Sequence, residues 1–207
     1  MKRHYLCERK IVVTIISIIS SKHDTIYCMN IILLKHGTKY TAEDVNRQAE
    51  VLLNFADYPI FCLTEDPKDV IIECLPIPDS PKLMRWWNKL HVFRHDFVLD
   101  NRCVMFDLDI DITASPFPYI ESIDWRYPTF IADDHKNELY YEKHAYETML
   151  NSSVMAWTSH RNTEYWDIFS RNIDYYTRKY KGVDRYVWDQ KLLHRTFDNA
   201  IRSTIVF

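Results

Sequence analysis

The 207-residue chain reads as an α/β domain, a mostly parallel central sheet flanked by helices. Three observations predict this. Short apolar runs alternate with helical periodicity over residues 30–106, in the order strand, helix, strand, strand, helix, strand. Two of those strands end on residues suited to ligand chemistry, Gly37 after the first and Asp107 after the last. Ligands of parallel sheets sit at the carboxyl ends of strands. The length and a hydrophobic content of 47% also suit one soluble domain with a substantial core.

The first expected strand is Asn30 to Leu34, closed by the turn at His36-Gly37. Thr41, with Asp44 three residues on, is the acidic variant of a capping box and opens a helix whose apolar residues are Val45, Ala49, Leu52 and Leu53. Pro59 to Leu63 and Val70 to Leu75 are the next strands. Pro76, Pro78 and Pro81 then exclude regular structure. Met84 to Phe93 is expected to be helical, and Arg102 to Phe106 is the strand that leads into the aspartates. Beyond it, Pro116 to Pro128 reads as an aromatic loop and Asn151 to Ala156 as a strand. Glu164 to Lys179 reads as an amphipathic helix and Asp184 to His194 as another.

The domain is expected to span residues 29–207, with residues 1–28 as an extension. That extension carries basic residues up to Lys10 and an apolar run from Ile11 to Ile19, like the first two regions of a signal peptide. No small-residue cleavage site follows, and the run is about half the ~20 residues needed to cross a bilayer. No membrane span is expected. The net charge of -3 gives no global attraction to nucleic acid. With only Gly37 and Gly182 available, neither a Walker loop nor a G-x-G-x-x-G turn can be written. A bound nucleotide would therefore be held mainly by metal and side chains. The five cysteines are scattered and form no C-x-x-C pair, which points to reduced thiols in a cytoplasmic protein rather than a zinc ribbon.

Cys103 to Asp111 is the stretch richest in chemistry. An apolar strand ends in Asp107, Asp109 and Asp111 at alternate positions, which share a face while the chain stays extended. Crowded carboxylates repel, and a hard divalent cation with oxygen ligands relieves them and in turn holds phosphate oxygens. A solvated turn after a buried strand is the competing reading.

Five segments in order resemble the nucleotide-sugar glycosyltransferases of the GT-A fold, and within them the glycogenin-like (family 8-like) group with its small bacterial and viral relatives. They are His36-Gly37-Thr38-Lys39-Tyr40, Asp44-Val45-Asn46-Arg47, Trp86-Trp87-Asn88-Lys89-Leu90, Phe106-Asp107-Leu108-Asp109 and Asn151-Ser152-Ser153-Val154-Met155. The resemblance covers about residues 30 to 190. It implies that Asp107 and Asp109 are the D-x-D pair holding Mn²⁺ or Mg²⁺ and, through it, the donor diphosphate. Gly37, Thr38 and Tyr40 resemble the loop that packs on the nucleotide base, Arg47 falls in the matched helix segment, and Lys89 resembles the basic residue beside the diphosphate. Asn151 and Ser152 resemble the segment lining the sugar pocket. Asp184, after Gly182, resembles the acidic residue near the reacting sugar, so Asp184 and Asn151 are the candidate catalytic residues.

Three departures stand out. The chain reads Gly-Val-Asp-Arg where the family more often has Gly-Asp-Gln, and Asp111 extends the acidic motif. The chain ends at Phe207 without a His-Gly-x-x-Lys-Pro-Trp-like segment, leaving His194 or Asp198 as substitute ligands. Trp86 and Trp87 read as core or wall.

The implied activity is that of a hexosyltransferase-type enzyme moving a sugar from a UDP-linked donor to a hydroxyl of a glycan, protein or nucleic acid. Lys82, Arg85, Lys89, Arg94 and Arg102 would form a basic rim for a nucleic-acid acceptor, or else an ordinary solvated surface. Two alternatives share the motif. A haloacid dehalogenase-type phosphatase uses D-x-D-x-T, which Phe106-Asp107-Leu108-Asp109 half matches and Asp133-Asp134 would complete. A degenerate sugar-binding module would keep the fold without the reaction.

Overall fold

The computed structural model describes residues 29–79, 81–83, 85–97, 99, 102–126, 128–132, 150–159 and 162–179, with the side chains of 85, 130–132, 150, 151 and 179 outside that description. The N-terminal extension and the helix expected over Asp184 to His194 lie outside the described residues, as do His194 and Asp198.

Strand β1 (Met29–Lys35) leads to helix α1 (Ala42–Leu53), then β2 (Ile60–Thr64) and β3 (Glu73–Pro76). A 3₁₀ helix (Arg85–Phe93) precedes β4 (Arg102–Phe106), and α2 (Phe117–Ser122), β5 (Thr129–Ala132) and β6 (Leu150–Thr158) follow. Helices α3 (Glu164–Ser170) and α4 (Ile173–Lys179) complete the described elements. The sheet order is β3-β2-β1-β4-β6-β5. The first four of these strands run parallel, and β6 is antiparallel to both β4 and β5. The expected mostly parallel α/β sheet is what forms.

Strand β1 is central because it is apolar on both faces. Ile31 and Leu33 pack with Val45, Ala49 and Leu52 of α1 on one side. Ile32 packs with Trp87, Leu90, Phe93, Trp157 and Phe169 on the other. All three β1 residues are fully buried, each contributing about 1.5–3 kcal/mol of burial. Helix α1 starts where the capping box places it: Thr41 Oγ1 accepts from the Asp44 N–H at 3.3 Å, and Asp44 Oδ2 accepts from the Thr41 N–H at 2.8 Å.

Four local expectations change, each for a visible reason. Strand β3 begins at Glu73 rather than Val70. Asp69 sits at φ 61°, and the Asn46 amide of α1 takes the Asp69 carbonyl and the Ile71 N–H, both at 3.0 Å, before ladder pairing starts. The helix expected to end at Phe93 is a 3₁₀ helix, Arg85–Phe93, buried from Trp87 to Phe93, and its three-residue turn stacks the apolar Trp87, Leu90 and Phe93 in line. The aromatic loop contains α2, with Pro118 in its first turn, where a missing N–H is tolerated, and Phe117 and Ile120 buried. The Glu164 to Lys179 helix divides at Arg171-Asn172, where the Asn172 side chain accepts from the Tyr175 N–H at 3.0 Å and opens α4.

Candidate active site

From β1 the chain steps outward to β2 and β3, then crosses back to β4 on the other side of β1. The loops after β1 and β4 therefore leave the sheet in opposite directions, and a crevice opens between them. It is a cavity of about 700 Å³, within the range of small-ligand sites. Residues 36–40 of the β1–α1 loop form one wall, Trp86 and Lys89 another, and Asp107, Leu108 and Asp109 the third, with Leu34 beneath. Trp86 and Lys89 are three apart, so the 3₁₀ turn that buries Trp87 and Leu90 also points this pair into the cavity.

Gly37 has φ 67°, a left-handed turn that a side chain would strain. Its N–H donates to Glu65 Oε1 at 2.5 Å, and His36 Nδ1 lies 3.1 Å from Glu65 Oε2. Glu65, at the end of β2, thus braces the wall loop. Burial pushes the Glu65 carboxyl up, but the Gly37 N–H and His36 outweigh it and hold it below its ordinary value. Sequence reading gave Glu65 no part in the site; an acidic residue at the end of the neighbouring parallel strand was the available signal.

Lys89 holds the floor. It is 6% exposed and its Nζ lies 2.7 Å from Asp107 Oδ1 and 2.8 Å from Oδ2. The same ammonium donates to the Ser152 carbonyl at 3.0 Å and to Ser152 Oγ at 3.2 Å. The antiparallel β6 brings Ser152 there: Val154 pairs with Phe106, and the Asp107 N–H continues the ladder to the Ser153 carbonyl at 2.8 Å. Ser152 is 3% exposed beneath Lys89, so it anchors the lysine rather than lining the cavity.

Asp109 is held from the opposite wall. Lys39 Nζ donates to its Oδ2 at 2.9 Å and lies 4.5 Å from the centre of the Tyr40 ring. Burial pushes the Asp109 carboxyl up, but hydrogen bonding from Tyr40 and Lys39, with the lysine's charge, holds it below the usual carboxylate range. The hydrogen bonds that the ammonium makes with Tyr40 and Asp109, together with the charge of Asp109, outweigh burial and raise Lys39. Burial pushes the Tyr40 phenol up to about 12, so it stays protonated at neutral pH.

No protein-family model matches the sequence, and no curated protein matches it. Solved structures do match. The galactosyltransferase LgtC, crystallised with donor and acceptor sugar analogues, superposes with a TM-score of 0.55 and 16% identity over 81% of this chain and 70% of that one. The apo form of the glycosyltransferase GlyE from Streptococcus pneumoniae gives 0.52 and 15%, covering 87% of this chain and 45% of that one. The apo bifunctional glycosyltransferase WbbM gives 0.53 and 10%, over 91% and 40% respectively. The fold is that of the GT-A glycosyltransferases.

Within this GT-A frame the expected residues separate into groups. Gly37, Thr38, Tyr40, Lys89, Asp107 and Asp109 line one cavity, joined by Lys39, to which sequence reading assigned no role. Arg47 lies outside the lining; its guanidinium bonds Asp44 at 2.9 Å on an exposed face of α1. Asn151 lies in β6 beside Ser152, its side chain outside the described residues, and Asp184 lies wholly outside them. Asp111 is exposed and does not extend the site: pairing of β4 ends at Phe106, and a turn at residues 108–109 breaks the alternation. Among the described residues no three His, Cys, Asp or Glu side chains converge as a metal site. Of the expected basic rim, Lys82 is exposed and the Arg85 side chain lies outside the described residues. Lys89 is buried, Arg94 lies 5.0 Å over Trp166 and bonds Asp96, and Arg102 lies 4.8 Å over Trp125. Trp87 is core, stacked 5.2 Å from Phe169, and Trp86 is wall.

Proposed function

We propose that this chain transfers a hexosyl group from a UDP-linked sugar to an acceptor hydroxyl, with Mn²⁺ or Mg²⁺ at Asp107 and Asp109. The observation that carries the reading is the crevice between β1 and β4 with both D-x-D carboxylates and two lysines on its walls. The GT-A fold supports it, as does the position of the acidic motif on the fourth strand rather than near the start of the chain, where a dehalogenase-type phosphatase would have it.

The charge balance supports a metal. Lys39 and Lys89 offset Asp107 and Asp109, so the lining is close to neutral. A donor diphosphate entering it would bring negative charge that only an added cation could balance at close range. Two carboxylates suffice for Mg²⁺, which usually keeps waters and shares substrate phosphates, and all oxygen donors present suit a hard ion. Bound there, the ion would act as Lewis acid on the departing diphosphate.

The chain's own residues divide the remaining work. Lys89, fixed by four oxygen contacts from Asp107 and Ser152, holds Asp107 in one orientation and keeps a positive charge on the floor. Tyr40, on the wall beside Thr38, offers a ring for the uracil, a contact worth about 1–3 kcal/mol in single-strand complexes. Asn151 and Asp184 are the candidates nearest the reacting sugar.

Calorimetric titration of UDP, GDP and their sugars, with and without Mn²⁺, tests this. Metal-dependent binding of UDP by wild type, lost in Asp109→Ala, is expected. Absence of nucleotide binding in the presence of metal would overturn the transferase reading.

A further inference from the structure

The two aspartates of the site are held by lysines of opposite character, and this asymmetry points beyond the assignment of donor and metal. Lys89 is buried, fixed by Asp107 and by both oxygens of Ser152. The Lys39 side chain is 68% exposed, sits on the loop after β1, and meets a half-exposed Asp109 through a single 2.9 Å contact made across 70 residues of sequence. A pair in that setting is readily exchanged. An ammonium and a divalent cation on one carboxylate repel each other. The exposed Lys39 can swing away to relieve this, whereas the buried Lys89 is fixed beside Asp107 by Ser152.

We propose that Lys39 is a resident counter-cation of Asp109, displaced by the metal and then captured by the donor diphosphate. The inference rests on the donor-site reading above. Without ligands, Lys39 neutralises Asp109, and its Nζ lies 4.5 Å from the centre of the Tyr40 ring. A metal taking Asp109 would release the ammonium at the cavity mouth from its one ion pair among the described residues, until a diphosphate arrives. Metal alone therefore pays for breaking the pair, whereas metal and diphosphate together return a partner to Lys39. The two ligands are then coupled in their binding, and the coupling runs equally in both directions. Lys89 takes no part in the exchange, because it is buried and held by Ser152 as well as by Asp107.

The test is Mn²⁺ binding followed by calorimetry and by the spin-resonance signal of the free ion, without nucleotide and with saturating UDP. Wild type, Lys39→Met, Lys39→Arg and Asp109→Asn are compared. Lys39→Met is expected to bind Mn²⁺ alone about two- to five-fold more tightly than wild type, the range an exposed pair allows. In the same variant UDP should tighten Mn²⁺ binding less than it does in wild type. Lys39→Arg should keep the wild-type pattern, and Asp109→Asn should lose the tight Mn²⁺ site. Equal Mn²⁺ affinity in wild type and Lys39→Met overturns the proposal. UDP binding without metal overturns it too, while leaving the donor site standing. Failure of both Mn²⁺ and UDP to bind any variant overturns it together with the donor-site reading.

Discussion

Lys89 illustrates how one side chain can carry both stability and chemistry. Its ammonium is almost wholly removed from water, and its cost is met by the Asp107 carboxylate and two Ser152 oxygens. Lys89→Met would remove the cation beside a carboxylate that is only 20% exposed and one donor to the Ser152 oxygens. Losing one partner of such a pair costs about 3–5 kcal/mol when both are fully buried, so a loss of about 2–4 kcal/mol is expected in urea unfolding. Adding Asp107→Asn should restore part of it, because the stranded charge is then removed. A double-mutant cycle on these two positions measures the coupling.

At the scale of the element, α1 and the wall loop are built from consecutive residues, so the start of the helix fixes the edge of the site. The loop ends at Tyr40, and Thr41 immediately caps α1 by the reciprocal bonds with Asp44. Thr41→Ala removes the acceptor of the Asp44 N–H and should cost about 1 kcal/mol, seen as a lower urea midpoint with an unchanged slope. This element was legible in advance because a capping box needs only four residues in a row. The Trp87-Leu90-Phe93 spacing was equally visible and read as helical, but not as 3₁₀, since three-residue and 3.6-residue periods barely diverge over two turns. The break at Asn172 and the short helix after Pro116 had local signals as well, an Asn side chain able to open a helix and a proline in a first turn. Aromatic content in both stretches masked them.

For the whole molecule, the two-sided core has a consequence for acid stability. His91, on the 3₁₀ helix, is fully buried with its ring 5.4 Å from Trp166, and neither ring nitrogen has a hydrogen-bond partner among the described residues. Burial first, and then the charges of Arg94 and His36, push it down to about 4, with Asp96 opposing them. Its ordinary value in an unfolded chain is about 6.5. Between these values the unfolded chain binds a proton that the folded chain refuses, so folding stability falls as pH drops from about 6.5 to 4 and is unaffected above. The loss is up to about 3 kcal/mol. Urea titrations at pH 7.5, 5.5 and 4.5 should show this decline in wild type, and a flatter profile in His91→Phe. Parallel profiles would assign the decline to other groups.

The amino-acid sequence by itself determined what depends on near neighbours. It placed the central strand, the α1 cap, the strand leading into Asp107 and the glycine turn after β1, because periodicity, capping and turn chemistry act within a few residues. It also brought Tyr40, Lys89, Asp107 and Asp109 together as candidates for one site. Only the tertiary structure decided how they are connected. Lys89 meets Ser152 across 63 residues, Lys39 meets Asp109 across 70, and Glu65 meets Gly37 across 28. Those contacts follow from strand order and register, from β2 and β4 flanking β1 and from an antiparallel β6. Long-range hydrogen bonds and ion pairs leave no periodic trace in a chain, because their partners are chosen by the packing of the sheet.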